Sequence, residues 1–166
     1  MAAPRYDEQD DGGLGPVELV RAHAEGKARS VVDAGERPVL GVDTAVVLGD
    51  RVLGKPDGEG HAVDMLTRLA GRTHVVVSGL CLLAPGWEVV DHAETRVTFR
   101  DLTPRDVARY VATDEWRNRA GAYAIQARGA ALVERIDGDY LNVVGLPAAL
   151  LVRHLADHFP GTYGVG

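Results

Sequence analysis

The sequence predicts a single α/β domain on a mixed sheet, spanning residues 1–166, or two small lobes sharing one core. Three observations carry that prediction. Apolar runs with strand character alternate with stretches of helical spacing. The turn Pro85-Gly86 separates two long strand-like runs. A hydrophobic fraction of 46% supplies enough apolar surface for a packed core.

Residues 1 to 15 are acidic and glycine-rich and read as a loop or fraying terminus. Pro16 suits a first helical position, and Val17, Val20, Ala24, Ala28 and Val31 continue at helical spacing until Gly35, with Gly26 a weak point. Pro38 to Val42 reads as a short buried strand. Ala45 to Leu48 then meets the turn Gly49-Asp50, Arg51 to Leu53 runs back, and Gly54-Lys55-Pro56 closes with a second turn. Ala62, Met65, Leu66 and Leu69 define a helix stopped by Gly71. A long strand from Thr73 to Leu83 and a return strand from Trp87 to Arg100 form a hairpin, with one wet face where Thr95 to Arg100 alternate. Thr103 and Asp106 make a near capping box before a helix carrying Val107, Tyr110 and Val111. Trp116 to Ala120 reads as a loop, Ala120 to Gln126 as a strand segment ending on Gln126, and Ala131 to Ile136 as a further strand. Asp137-Gly138-Asp139 turns the chain towards a final helix with Leu150, Leu151, His154 and Leu155 inward or near it.

Composition narrows the function classes. The formal charge is −6, from 24 acids against 18 bases, which argues against a broad basic face for nucleic acid but leaves room for a small anion held locally. No apolar run reaches the roughly 20 residues needed to cross a bilayer. The N-terminus lacks the apolar core of a signal peptide, so a cytoplasmic protein is expected. The single cysteine, Cys81, sits in the run Leu80 to Leu83 and reads as core packing in a reducing compartment. His74 reads as a surface or capping residue, and His154 with His158, lacking a third ligand, as helix surface.

The chemistry-bearing residues cluster from Leu40 to Pro56. An acid, Asp43, ends an apolar strand, and a return strand brings Lys55 back towards it, an arrangement that α/β proteins use for phosphorylated ligands. The competing reading has Asp43 capping a loop and Lys55 solvated in a turn. Sixteen of the 18 bases are arginine, so Lys27 and Lys55 are the only lysines. A compact ammonium suits a single phosphate oxygen better than a planar fork does. In Ala120 to Gln126, small residues permit close approach to the backbone, and Gln126 offers both a donor and an acceptor; the competing reading is a tightly packed β-turn-β segment with Gln126 exposed.

These residues, in order, resemble the Maf family of nucleoside triphosphate pyrophosphatases, also called septum formation inhibitor proteins. The resemblance runs through Asp7-Glu8, Lys27-Ala28, Val42-Asp43-Thr44 and Gly54-Lys55-Pro56. It continues through Met65 to His74, Ala120 to Gln126 and Asn142 to Pro147, with the family's spacing of twelve from Asp43 to Lys55. It implies an elongated Maf/ITPase-like α/β fold with a cleft between two lobes, acting as a homodimer. It further implies hydrolysis of a nucleoside triphosphate to the monophosphate and pyrophosphate with a divalent cation, Mg²⁺ or Mn²⁺. Asp43 would be the general base and a metal ligand, with Glu8 also at the metal. Lys27 and Lys55 would bind phosphate oxygens, and Thr44, Gln126 and Arg119 would contact substrate. The Gly-Ala-Tyr-Ala-Ile-Gln run is similar to the branch acting on dTTP and UTP. Two departures stand out. The family's opening Ser-x-x-Arg strand is expected to be missing, which raises the alternative of a catalytically silent nucleotide-binding protein acting in division control through a partner. Asn118-Arg119 also stands where the family usually has Asp-Lys, so that Arg119 keeps the charge.

Overall fold

The computed structural model describes residues 5–6, 13–31, 37–161 and 164. Asp7, Glu8 and Gly35 lie outside the described residues.

The longest strands, β3 (Thr73–Ala84) and β4 (Trp87–Phe99), are joined by Pro85-Gly86, a two-residue connection open only to antiparallel neighbours. Gly86, at φ +75°, takes the left-handed turn position that a side chain disfavours. Around this hairpin the five-stranded sheet runs in the order β2-β1-β3-β4-β5. Strand β1 (Val39–Leu48) pairs antiparallel with β2 (Arg51–Leu53), with Val46 opposite Leu53 and Leu48 opposite Arg51. At the other edge β5 (Val133–Asp137) pairs antiparallel with β4, with a register shift between Thr98 and Phe99. The helices are α1 (Pro16–Arg29), α2 (Glu59–Leu69), α3 (Pro104–Val111), α4 (Tyr140–Val144) and α5 (Ala148–His158).

The chain groups into two compact units. The first comprises residues 1–43, 78–93 and 145–166, and the second residues 44–77 and 94–144. In the first, β3 is apolar on both faces, and strand alternation splits the run that contains Cys81. Cys81 packs with Ala24 and Ala28 of α1, and with Leu83 and Val90. Leu80 and Leu82 pack with Leu150, Leu151 and Leu155 of α5. Burial pushes the Cys81 thiol up to about 11, so it stays a protonated packing group. Two glycines let α1 lie close to the strands. A Cβ on Gly79 would stand 2.2 Å from the Val20 carbonyl oxygen, and one on Gly41 would stand 2.1 Å from that of Ala24.

In the second unit, Ala62, Met65, Leu66 and Leu69 of α2 join Val107, Tyr110 and Val111 of α3 in a core with Val46, Val76, Val97 and Phe99. The capping box forms as expected: Thr103 Oγ1 accepts from the Asp106 amide, and the Thr103 amide donates to the Asp106 carboxylate. Buried Asn142 donates to the Val76 carbonyl at 3.1 Å and to Thr95 Oγ1 at 3.0 Å, tying α4 to the hairpin.

Several expectations are corrected. The first helix ends at Arg29, with Ser30 at its C-cap. Gly26 within it is explained by Tyr6, whose ring would stand 2.2 Å from a Cβ there. Residues 39–48 form one strand, and Leu40 is exposed, so the run is not a fully buried strand. No strand covers Ala120 to Gln126: Ala120–Ala122 is a single 3₁₀ turn, and Ala127–Leu132 is a second 3₁₀ segment. Gly121 and Ala122 there have φ of +66° and +60°, values that no strand ladder accepts. The loop after α3 is anchored by buried Trp116, whose Nε1 donates to the Val111 carbonyl at 2.9 Å. His74 is not a surface residue: it is buried against Phe99 and Tyr123. His154 is mostly covered and reaches Asp91 Oδ2 at 3.0 Å.

Candidate active site

In the first unit, β1 presents Gly41 and Asp43 on the same face, because strand side chains alternate with period two. Helix α1 approaches that face closely at Gly41. His23 and Lys27, four residues apart, project from one side of the helix. Lys27 Nζ donates to Asp43 Oδ1 at 2.6 Å, and His23 Nδ1 lies 3.4 Å from Asp43 Oδ2. All three side chains are largely covered, the Asp43 side chain retaining 12% exposure. The ring of Tyr6 stands edge-on to His23 at 5.8 Å. The Asp43 carboxylate thus has Lys27 on one oxygen and the His23 ring near the other in a sheltered position, and does not cap a loop. Lys27 also sits in the last turn of α1, where the helix dipole favours a cation.

In the second unit, β1 continues with Thr44. Lys55 lies two residues past Leu53, where an unbroken β1–β2 ladder would set it level with Thr44. The Lys55 side chain is exposed. The turn that carries Lys55 meets the turn that carries Arg119, since the Gly121 amide donates to the Gly54 carbonyl at 3.1 Å. Gly121 also approaches β1 closely, a Cβ there standing 3.0 Å from the Val46 side chain. This hydrogen bond and the packing of Gly121 on Val46 gather the segments bearing Thr44, Lys55 and Arg119.

Gln126 is exposed and follows a tightly held segment. The Ala124 amide donates to Tyr110 Oη at 3.0 Å. Tyr123 Oη and His74 Nε2 are 2.8 Å apart. The Arg128 and Gly129 amides donate to the Glu115 carboxylate at 3.1 and 3.2 Å. Burial lowers the His74 pKa to about 4, which keeps the ring neutral, and raises that of Tyr123, which keeps its proton. Both groups thus act as fixed dipoles that hold the loop.

A family model described as Maf-like protein matches residues 1–158. The chain belongs to the Maf family. Among its relatives, the dTTP/UTP pyrophosphatase of Moorella thermoacetica is 52% identical over 156 residues, covering 92% of this chain and 80% of the relative. The dTTP/UTP pyrophosphatase of Nitratidesulfovibrio vulgaris is 49% identical over 152 residues, covering 88% and 72%. That of Alcanivorax borkumensis is 44% identical over 159 residues, covering 93% and 81%.

Of the residues expected in a Maf site, Asp43 and Lys27 are in direct contact. Thr44 follows Asp43 in β1, while Lys55 and Arg119 stand on touching turns. Glu8, the expected metal ligand, lies outside the described residues. Among the described residues no group of three or more His, Cys, Asp or Glu side chains is arranged to hold a metal ion. His23 is the residue the sequence pattern did not single out. Its only signal is its place four residues before Lys27. No helix among the described residues is long and apolar enough to cross a membrane.

Proposed function

We propose that this Maf protein is a nucleoside triphosphate pyrophosphatase that acts on dTTP and UTP, releasing the nucleoside monophosphate and pyrophosphate. The observation that carries the mechanism is the sheltered Asp43 carboxylate held by Lys27 at 2.6 Å. The names of the relatives support the substrates.

In this reading Asp43 takes a proton from the attacking water while the water oxygen bonds to the α-phosphorus and the α–β anhydride bond breaks, with the electron pair leaving on pyrophosphate. Lys27 stands against the base and so reaches both the carboxylate and a non-bridging phosphate oxygen. Lys55 and Arg119 add positive charge along the polyphosphate, where charge grows in the transition state. Thr44 and Gln126 supply hydrogen bonds for selecting the base. A divalent cation, Mg²⁺ or Mn²⁺, held by Asp43 together with Glu8 and the phosphates, would supply further neutralisation and a more acidic water. The net charge of −6 supports a small nucleotide over nucleic acid as partner. The family resemblance supports a homodimer, and a nucleotide substrate supports a cytoplasmic setting.

The test is pyrophosphate release from dTTP and UTP with Mg²⁺ or Mn²⁺ by the wild type and by Asp43→Asn. We expect Asp43→Asn to lower kcat by about 100-fold or more, the size of a lost general base, with unchanged circular dichroism. Turnover within a few-fold of wild type would remove Asp43 from that role.

A further inference from the structure

Outside the residues assigned to catalysis, the second unit carries a pocket of about 220 Å³ that none of the proposed chemistry uses. Its walls come from the end of β4, from α3 and from the 3₁₀ segment at 127–132. They include Arg100, Arg109, Arg128, Asp106, Tyr110 and Thr113. Three guanidinium groups therefore face one carboxylate. That carboxylate is already committed, because Asp106 accepts from the Thr103 hydroxyl at 2.6 Å and the Thr103 amide at 2.9 Å, and Arg100 Nη2 lies 3.3 Å from it. Arg100 is fixed further by donating to the Ala131 carbonyl at 2.8 Å and the Asp101 carbonyl at 2.9 Å. The side chains of Arg109 and Arg128 meet no carboxylate among the described residues. In a chain with net charge −6, three arginines against Asp106 leave the lining cationic, with the Glu115 carboxylate nearby held by the Arg128 and Gly129 amides.

We propose that this pocket is a second anion site, built for a small phosphate-bearing ligand. Planar guanidinium forks match phosphate oxygens two at a time, and arginine is the residue suited to that recognition. The volume is below the 300–1,000 Å³ usual for sites that enclose drug-sized molecules, which favours orthophosphate or pyrophosphate over a whole nucleotide. The pocket also borders the proposed substrate loop. Tyr110 lines it and holds the Ala124 amide, between Arg119 and Gln126 in sequence.

The experiment is calorimetric titration of the full chain with pyrophosphate and, separately, with orthophosphate. It uses the Lys27→Met/Lys55→Met background, in which the proposed catalytic phosphate contacts are removed. Because no turnover is read, the result does not depend on the catalytic assignment. We expect binding to persist in that background and to weaken at least tenfold when Arg109→Gln and Arg128→Gln are added. Both added positions are exposed, and each single substitution, which should weaken binding by a smaller factor, guards against a fold defect in the double variant. Comparing the two ligands tells which phosphate source the pocket prefers. Binding unchanged by the arginine substitutions, or no binding of either anion in the lysine background, would overturn the proposal.

Discussion

Asp43 is reached by two basic side chains from one helix, Lys27 and His23, and only the lysine was legible in the chain. Lys27 stands out because lysine is so rare here, whereas His23 is an unremarkable letter until α1 packs against Gly41 and turns it inward. His74 carries the opposite lesson. A histidine at the start of a strand reads as wet, but the aromatic surroundings of Phe99 and Tyr123 enclose it, and burial holds its pKa near 4. The unfolded chain binds a proton at this residue below its ordinary value of 6.5, and the folded chain does not. The stability contributed by neutral His74 is therefore present above pH 6.5 and is lost as the pH falls towards 4. Fully developed, the effect is about 3 kcal/mol for a shift of this size. Denaturant titrations from pH 7 to 4 on wild type and His74→Gln check it: the variant should lose less stability over that interval. Parallel curves would mean that His74 titrates normally.

Element identity was easier to read than element extent. Helices α2 and α3 match their apolar spacing, α2 also its stop at Gly71 and α3 its start at Thr103, because periodicity reports directly which side is buried. Segment 120–126 was misread because its short apolar letters fit a strand, while its positive φ values arise from tertiary demands: Gly121 pressed on Val46, and Ala124 held by Tyr110. The packing of α1 on β1 yields a sharp expectation. Gly41→Ala sets a methyl 2.1 Å from the Ala24 carbonyl oxygen, so helix and strand must separate. Overpacking of this kind costs about 1–3 kcal/mol. For a chain of this size that corresponds to a drop in Tm of roughly 2–12 °C. Because Lys27 and His23 ride on the same helix, kcat for dTTP should fall as well, measured well below the new Tm. A Tm within 1 °C of wild type would show that the contact relaxes freely.

At the scale of the whole molecule, an acidic protein is proposed to bind a highly charged anion. Local placement reconciles the two: both lysines serve the proposed substrate, and three arginines line the proposed second pocket. A triphosphate bound only by the folded chain should raise its stability by mass action, about 2.7 kcal/mol at a hundredfold excess over Kd. Differential scanning fluorimetry of Asp43→Asn with UTP and Mg²⁺ reads this without turnover, and a rise of roughly 5–11 °C is expected. No shift at millimolar UTP would argue against a nucleotide site.

The two margins of the sheet have a consequence of another kind. Strand β2 is only three residues long and is followed shortly by Pro56, and β5 carries the charged residues Glu134, Arg135 and Asp137 beside only two apolar ones, Val133 and Ile136. Neither β2 nor β5 is itself a long, flat, apolar template, so backbone pairing between copies through these two strands, a route to fibrils, is blunted. Association between copies at β2 or β5 is thereby left to side-chain surfaces.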